Sequence, residues 1–320
     1  MIAVCGEALI DLVDEGDGLF RAHPGGSPAN VAVGLSRLGI PVALIARVSQ
    51  DAFGRLLRAH LTDNGVDLRY LVTAAELSTL AVVSLDGAGL ASYAFYANGT
   101  ADWQWESGQL PAALPAEVVA LHSGSLALSI EPAASVITEL LRCERARGQV
   151  TISLDPNVRP AFEDDQPAAV RRVERQVALA DVVKVSAEDL AWLAPDESPS
   201  HVARRWQELG PKIVIVTLGA AGALAVGPDG QEITRPSPPV ELVDTVGAGD
   251  AFTAGLLAAM QRNELLGAPH RSALATLSAE TLATVIDEAA LVAAITCSRR
   301  GADSPTREQV TAYGRNLSTR

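Results

Sequence analysis

Val243–Met260 reads VDTVGAGDAFTAGLLAAM, two glycines and an alanine leading into an aspartate at the head of an apolar run. If Gly247, Ala248, Gly249 and Asp250 open a helix, their backbone N–H groups lack intrahelical acceptors and stand at the positive end of the helix dipole. Such a terminus binds an anion. Glycine lets a phosphate approach bare backbone, and the small Ala248 keeps the access open. The same N–H groups favour the ionised form of Asp250, which can then take a proton from an attacking hydroxyl. Proton acceptance and phosphate stabilisation within one turn are what phosphoryl transfer needs. For these four residues alone, an aspartate N-cap after a glycine turn is the competing reading.

The surrounding pattern supplies elements to hold such a site. Apolar strand-like runs alternate with helical periods: IAVCGEALI, a helix from about Ser27, VALIARV, then a helix from about Asp51 with Phe53, Leu57 and Leu61 on one face. Ser27 and Pro28 suit the start of the first helix, Val31, Leu35 and Leu38 form its stripe, and Gly39 suits its end. VTISLDP, DVVKVS and IVIVTLG repeat the strand pattern near 150–156, 181–186 and 213–219. The alternation predicts an α/β fold of Rossmann type, a central, mostly parallel sheet flanked by helices, with ligands beyond the carboxyl ends of the strands. Two segments, about 12–24 and 80–105, read instead as hairpins with glycine turns, and five of the thirteen aromatics fall between Tyr93 and Trp105. They are expected to form a small β lid on one domain spanning 1–320; ordinary edge hairpins are the alternative.

Composition removes several function classes. A net charge of −13 and only two lysines, Lys184 and Lys212, disfavour a nucleic-acid surface. No Gly-Lys pair supports a Walker-type loop, and no G-x-G-x-x-G follows the first strand, which weakens a dinucleotide oxidoreductase. Cys5, Cys143 and Cys297 lack zinc or disulfide spacing and read as small core residues, and the five histidines show no metal spacing. Without a basic leader or a run of roughly 18 apolar residues, a cytoplasmic protein with no membrane partner is expected.

DTVGAGDAF resembles the carboxy-terminal signature of the ribokinase-like, or PfkB, family of carbohydrate kinases, and GGSPANVAVGLSRLG, from Gly25 to Gly39, is similar to its amino-terminal signature. Order and separation match over essentially the whole chain. The resemblance implies a ribokinase-like fold with a β lid, ATP and Mg²⁺, Asp250 as the base, and Gly247, Ala248 and Gly249 as the anion hole. It places Asp11, Gly25, Gly26 and Asn30 about the sugar; taken alone, Asp11 reads equally as a turn residue.

TLGAAGAL is similar to the family's late glycine turn, which would set Thr217, Gly219 and Gly222 beside ATP. VSAEDL stands where the family has Asn-x-x-Glu and offers Ser186, Glu188 and Asp189 instead, Asp189 then serving Mg²⁺ through water. Lys184 reads as a phosphate contact or a solvated strand-end lysine. Arg159, in DPNVRP, either faces the pocket or pairs with Asp155 or Glu163. The resemblance further implies a K⁺ site at Asp244 and the Val246 carbonyl, and a homodimer formed through the lids. HSGSLAL, SYAFY, TAD and DPNVRP are similar to bacterial fructokinases, so an ATP-dependent transfer to a primary hydroxyl of fructose is expected. Phe20, Tyr93, Phe95 and Tyr96 would wall the pocket. A 2-keto-3-deoxygluconate, ribose or nucleoside kinase is the alternative within the family, and a non-catalytic sugar-binding regulator the alternative outside it.

Overall fold

A computed structural model describes residues 1–85, 91–106 and 108–318. Its strands are β1 (Ile2–Cys5), β2 (Leu9–Gly16), β3 (Leu19–Gly25), β4 (Val42–Ser49), β5 (Leu71–Ala74), β6 (Leu80–Leu85), β7 (Ala91–Tyr96), β8 (Ala120–Gly124), β9 (Thr151–Asp155), β10 (Val182–Ser186), β11 (Ile213–Thr217), β12 (Ala223–Val226) and β13 (Glu232–Arg235). The helices are α1 (Ser27–Arg37), α2 (Ala52–Asp63), α3 (Ala133–Arg147), α4 (Gln166–Val177), α5 (Ala187–Leu193), α6 (Pro199–Leu209), α7 (Ala248–Arg262), α8 (Arg271–Ala275), α9 (Ala279–Cys297) and α10 (Arg307–Ser318).

Nine strands form the main sheet in the order β13-β12-β11-β10-β9-β8-β1-β4-β5. It is parallel from β11 to β5 and ends in an antiparallel β11-β12-β13 edge. Both faces are covered, as continuous apolar strands require. Ile2, Val4, Ile213 and Ile215 turn toward the helices α1, α7 and α9, whereas Ala3, Cys5, Val214 and Val216 turn toward the opposite core with Trp103, Trp105 and Trp206. This is the expected ribokinase-like arrangement, and the helical stripe Val31, Leu35 and Leu38 is buried.

The lid is a four-stranded sheet in the order β3-β2-β6-β7. Its limits correct the expectation at two places. The run IAVCGEALI is two strands in two sheets: Gly6 N–H makes its bond to the Ile45 carbonyl in the main sheet, and Ile10 N–H already bonds the Thr79 carbonyl in the lid. Asp11, the residue after that run, therefore stands within a strand of the lid and is not a turn residue. The residues after β7 are turns rather than lid strands, with Trp103 and Trp105 in the main core because their large apolar surfaces are buried there. Residues 86–90 of the expected lid, and the side chain of Tyr93, lie outside what is described. Cys5 is buried, but Cys143 and Cys297 are only half-buried, so two of the three thiols are not core residues; all three are free.

Candidate active site

Two helices bring the acid and its partners together through small residues. A Cβ on Gly34 of α1 would lie 2.7 Å from the Cβ of Ala254 of α7, so the backbones approach as closely as glycine permits. One turn toward the amino end of each helix, Asn30 Nδ2 donates to Asp250 Oδ2 at 2.8 Å and Ser27 Oγ donates to Oδ1 at 2.6 Å. Asp250 is 9 % exposed. Burial raises its pKa above the usual carboxylate range, with Ser27, Asn30 and the Lys184 charge opposing that rise. The amino end of α7 does not act through its amides alone: burial makes Asp250 a stronger base than a solvated aspartate.

Helix α7 starts at Ala248 with Gly247 in the left-handed region, φ 74°. The Ala248 N–H is held by the Thr245 carbonyl at 3.2 Å, unlike the expectation that all four amides face a ligand. The N–H groups of Gly247, Gly249 and Asp250 find no acceptor among the described residues. Lys184 is not a solvated strand-end residue. It is 4 % exposed, its Nζ donates to Asp155 Oδ2 at 2.8 Å, and a Cβ on Gly249 would sit 2.9 Å from that nitrogen. Burial would lower the Lys184 pKa, but the charges of Asp155, Asp189 and Asp250 raise it. The neighbouring carboxylates thus favour the charged ammonium at the tip of α7. The other oxygen of Asp155, Oδ1, is buried with no hydrogen-bond partner among the described residues.

Ser186 and Asp189 form a capping box on α5: Ser186 Oγ accepts from Asp189 N–H at 2.9 Å, and Asp189 Oδ2 accepts from Ser186 N–H at 3.1 Å. Asp189 Oδ1 accepts from Val158 N–H at 2.9 Å. Glu188 is exposed. His122 is buried with Nδ1 3.0 Å from Ser153 Oγ, and burial followed by the Lys184 charge lowers its pKa to about 3, so the ring is a neutral strand-end residue.

The lid supplies the other carboxylate. Asp11 lies opposite His23 and Ala81 in register, and Ala81 lies opposite Phe95. A Cβ on Gly25 would overlap the Asp11 carboxylate, so only glycine leaves room for it. Gly26 has φ 97°, and a Cβ there would come within 2.8 Å of the Glu7 carbonyl. Burial and the Asp250 charge raise the Asp11 pKa to about 6, with Arg159 opposing them. Arg159 is exposed and bonds Asn157 Oδ1 at 2.7 Å. The structural alternatives for it fall away, since Asp155 pairs with Lys184 and Glu163 with Arg172. Phe95 packs edge-on against Phe162, centroids 4.9 Å apart, joining the lid to the turn that follows Arg159. Phe20 and Tyr96 are instead exposed.

Among the residues expected beside ATP, Thr217 Oγ1 reaches the Val185 carbonyl at 3.5 Å and Gly219 faces open space. Gly222 is glycine because its Cα packs on the Arg235 carbonyl. Asp244 Oδ2 accepts from Gly301 N–H at 2.7 Å and Oδ1 from Val246 N–H at 3.0 Å, which folds the loop before α7.

The pfkB family carbohydrate kinase description matches residues 1–309. The chain belongs to the pfkB family of carbohydrate kinases. Among pfkB relatives, it is 39 % identical over 270 residues to a fructokinase of Rhizobium leguminosarum bv. trifolii, covering 83 % of this chain and 81 % of that one. The solved fructokinase of Xylella fastidiosa with bound ATP superposes with a TM-score of 0.91 at 28 % identity, over 99 % of this chain and 98 % of that chain. A Vibrio cholerae fructokinase double mutant, in a form with fructose, ADP and potassium, superposes at 0.83 with 29 % identity, over 98 % and 97 % of the two chains. For this pfkB kinase, sequence reasoning passed over Ser27 as a ligand of Asp250 and Asp155 as the partner of Lys184. Ser27 was visible only as a helix start, and Asp155 only as the first residue of DPNVRP.

Proposed function

We propose that this chain transfers the γ-phosphoryl group of ATP to a primary hydroxyl of fructose. The observation that supports it is Asp250, buried at the tip of α7, held by Ser27 and Asn30, with Lys184 beside the same tip and Asp11 coupled to it from the lid. In this reading Asp250 takes the hydroxyl proton while the oxygen attacks the γ-phosphorus, and the bond from that phosphorus to the β,γ-bridging oxygen breaks so that ADP leaves with the electron pair. The amides of Gly247 and Gly249 and the Lys184 ammonium receive the charge of the migrating group. Asp11, Gly25, Gly26 and Asn30 bind the sugar hydroxyls, Phe95 and Arg159 border them, and Ser186, Thr217, Gly219 and Gly222 lie along the nucleotide.

Mg²⁺ fits this donor set as a partly hydrated ion. No group of three or more His, Cys, Asp or Glu converges for a metal among the described residues, and Asp189 spends its oxygens on the capping box and Val158. The unpartnered Asp155 Oδ1 can accept from a metal-bound water. Bound there, the ion would neutralise charge on the β- and γ-phosphates. Asp244 and the Val246 carbonyl are assigned to K⁺, and the lid sheet to a homodimer contact; the protein acts in the cytoplasm as one domain.

The test is an acceptor screen with ATP and Mg²⁺, with and without K⁺, across fructose, ribose, 2-keto-3-deoxygluconate and adenosine. Fructose is expected to give the highest kcat/KM. Sugar binding with no transfer to any acceptor would leave the non-catalytic regulator in its place.

A further inference from the structure

Every passage of the chain between the two sheets meets at one buried knot. Ala8 precedes β2, Thr79 precedes β6, Ala97 follows β7, and Gly26 follows β3. Asp102, 3 % exposed, lies among them. Its Oδ1 accepts from Ala8 N–H at 2.9 Å and its Oδ2 from Thr79 Oγ1 at 2.6 Å. Thr79 Oγ1 is also 2.6 Å from Thr100 Oγ1, which in turn lies 3.0 Å from the Ala97 carbonyl. Gly26 completes the knot by packing on the Glu7 carbonyl. Thr79 is fully buried, so each of these groups depends on the others for its hydrogen bonds.

The functional side chains leave this knot within a few residues. Asp11 is three residues beyond Ala8 on β2, and Ser27 and Asn30 follow Gly26 on α1. A shift at the knot therefore moves Asp11 relative to Asp250, while Lys184, carried by β10 and held by Asp155, stays with the main sheet.

We propose that Asp102, acting through Thr79 and Ala8, is a positioning residue that sets the lid's acceptor half-site over the base Asp250. The inference rests on the sugar-kinase reading. Asp102 is distant in sequence from Asp250 and touches neither reacting group, so it works on where the hydroxyl sits and not on the phosphate's charge. Misplacement by about 1 Å costs transfer efficiency as steeply as losing a contact.

The test compares Thr79→Val, which keeps the shape and removes the hydroxyl, with Thr79→Ser, which keeps the hydroxyl, alongside Asp102→Asn. Steady-state kinetics with fructose and ATP are paired with hydrogen exchange at the amides of residues 8–13. Thr79→Val and Asp102→Asn are expected to raise the KM for fructose about tenfold or more and to speed exchange at Ala8 and its lid neighbours. The KM for ATP should stay within about twofold, and Thr79→Ser should restore wild-type behaviour. Equal changes in both KM values, or wild-type acceptor KM in Thr79→Val, would overturn the assignment. If Asp102→Asn does not fold, the two Thr79 variants decide the matter alone. A wild-type protein that phosphorylates none of the sugars defeats the kinase reading itself, an outcome distinct from a working kinase whose variants are unaltered.

Discussion

At the residue scale the site is a set of carboxylates whose burial decides their chemistry. Asp250→Asn keeps the bonds' geometry but removes the proton acceptor, so turnover should fall by about 10²–10⁴ while fructose binding, followed by calorimetry, changes little. Retained turnover would remove Asp250 from the role of base. Asp11 has its pKa raised to about 6, chiefly by burial. A raised carboxyl binds its proton as pH falls through that value, so kcat/KM for the sugar should decline on an acid limb near pH 6 and be flat above it. Asp11→Asn should raise the acceptor KM and shift that limb, leaving the one set by Asp250, whose pKa burial also raises; an unshifted limb would belong to a group other than Asp11. Asp250, Asn30, Gly25 and Gly26 were legible in the sequence because short motifs carry them. The contacts of Ser27, Asp155 and Asp102 were not, because their partners lie 223, 29 and 94 residues away.

At the element scale, the tip of α7 depends on one left-handed residue. Gly247→Ala would be strained at φ 74° and would overlap Ala302, so a loss of about 1–3 kcal/mol in stability is expected, together with most of the activity. Thermal melting of the variant against wild type checks this, and an unchanged Tm would show that the tip relaxes. The helix starts were readable from Pro28 in the first turn of α1 and from Asp51, whose side chain caps α2 by accepting from Gly54 N–H, although Ser27 does not cap α1: Gly26 holds that position and the Ser27 hydroxyl goes to Asp250. The β12–β13 hairpin and the split of the first apolar run were not. Which sheet a strand joins is fixed by distant neighbours such as Thr79 and Ile45, and a continuous run such as IAVCGEALI carries no local mark of the crossing.

At the scale of the whole molecule, ionisation is coupled to folding through Glu7. It is 1 % exposed, accepts from Ala127 N–H at 3.1 Å, and burial raises its pKa to about 7. An acid with a raised folded pKa binds more protons folded than unfolded, so the contribution of Glu7 to stability is full below the unfolded pKa of 4.5 and is lost as pH rises through 7. Glu7→Gln should flatten that interval of the stability profile, a difference on the order of 2 kcal/mol seen by denaturant titration at pH 5 and pH 8. A profile with the wild-type slope would assign the interval to other groups. The lid also leaves Leu19, Phe20 and Tyr96 exposed. If two lids meet there, Phe20→Glu should shift sedimentation from dimer to monomer. Finally, Asp155, Asp189 and Asp250 all bear on the single ammonium of Lys184, so three carboxyl groups already surround that cation before any ligand arrives. A bare polyanion meets repulsion there, which means the nucleotide has to travel in with its own counterions. Excess ATP over divalent metal should consequently compete poorly with the complexed form, and the enzyme should tolerate it without marked inhibition.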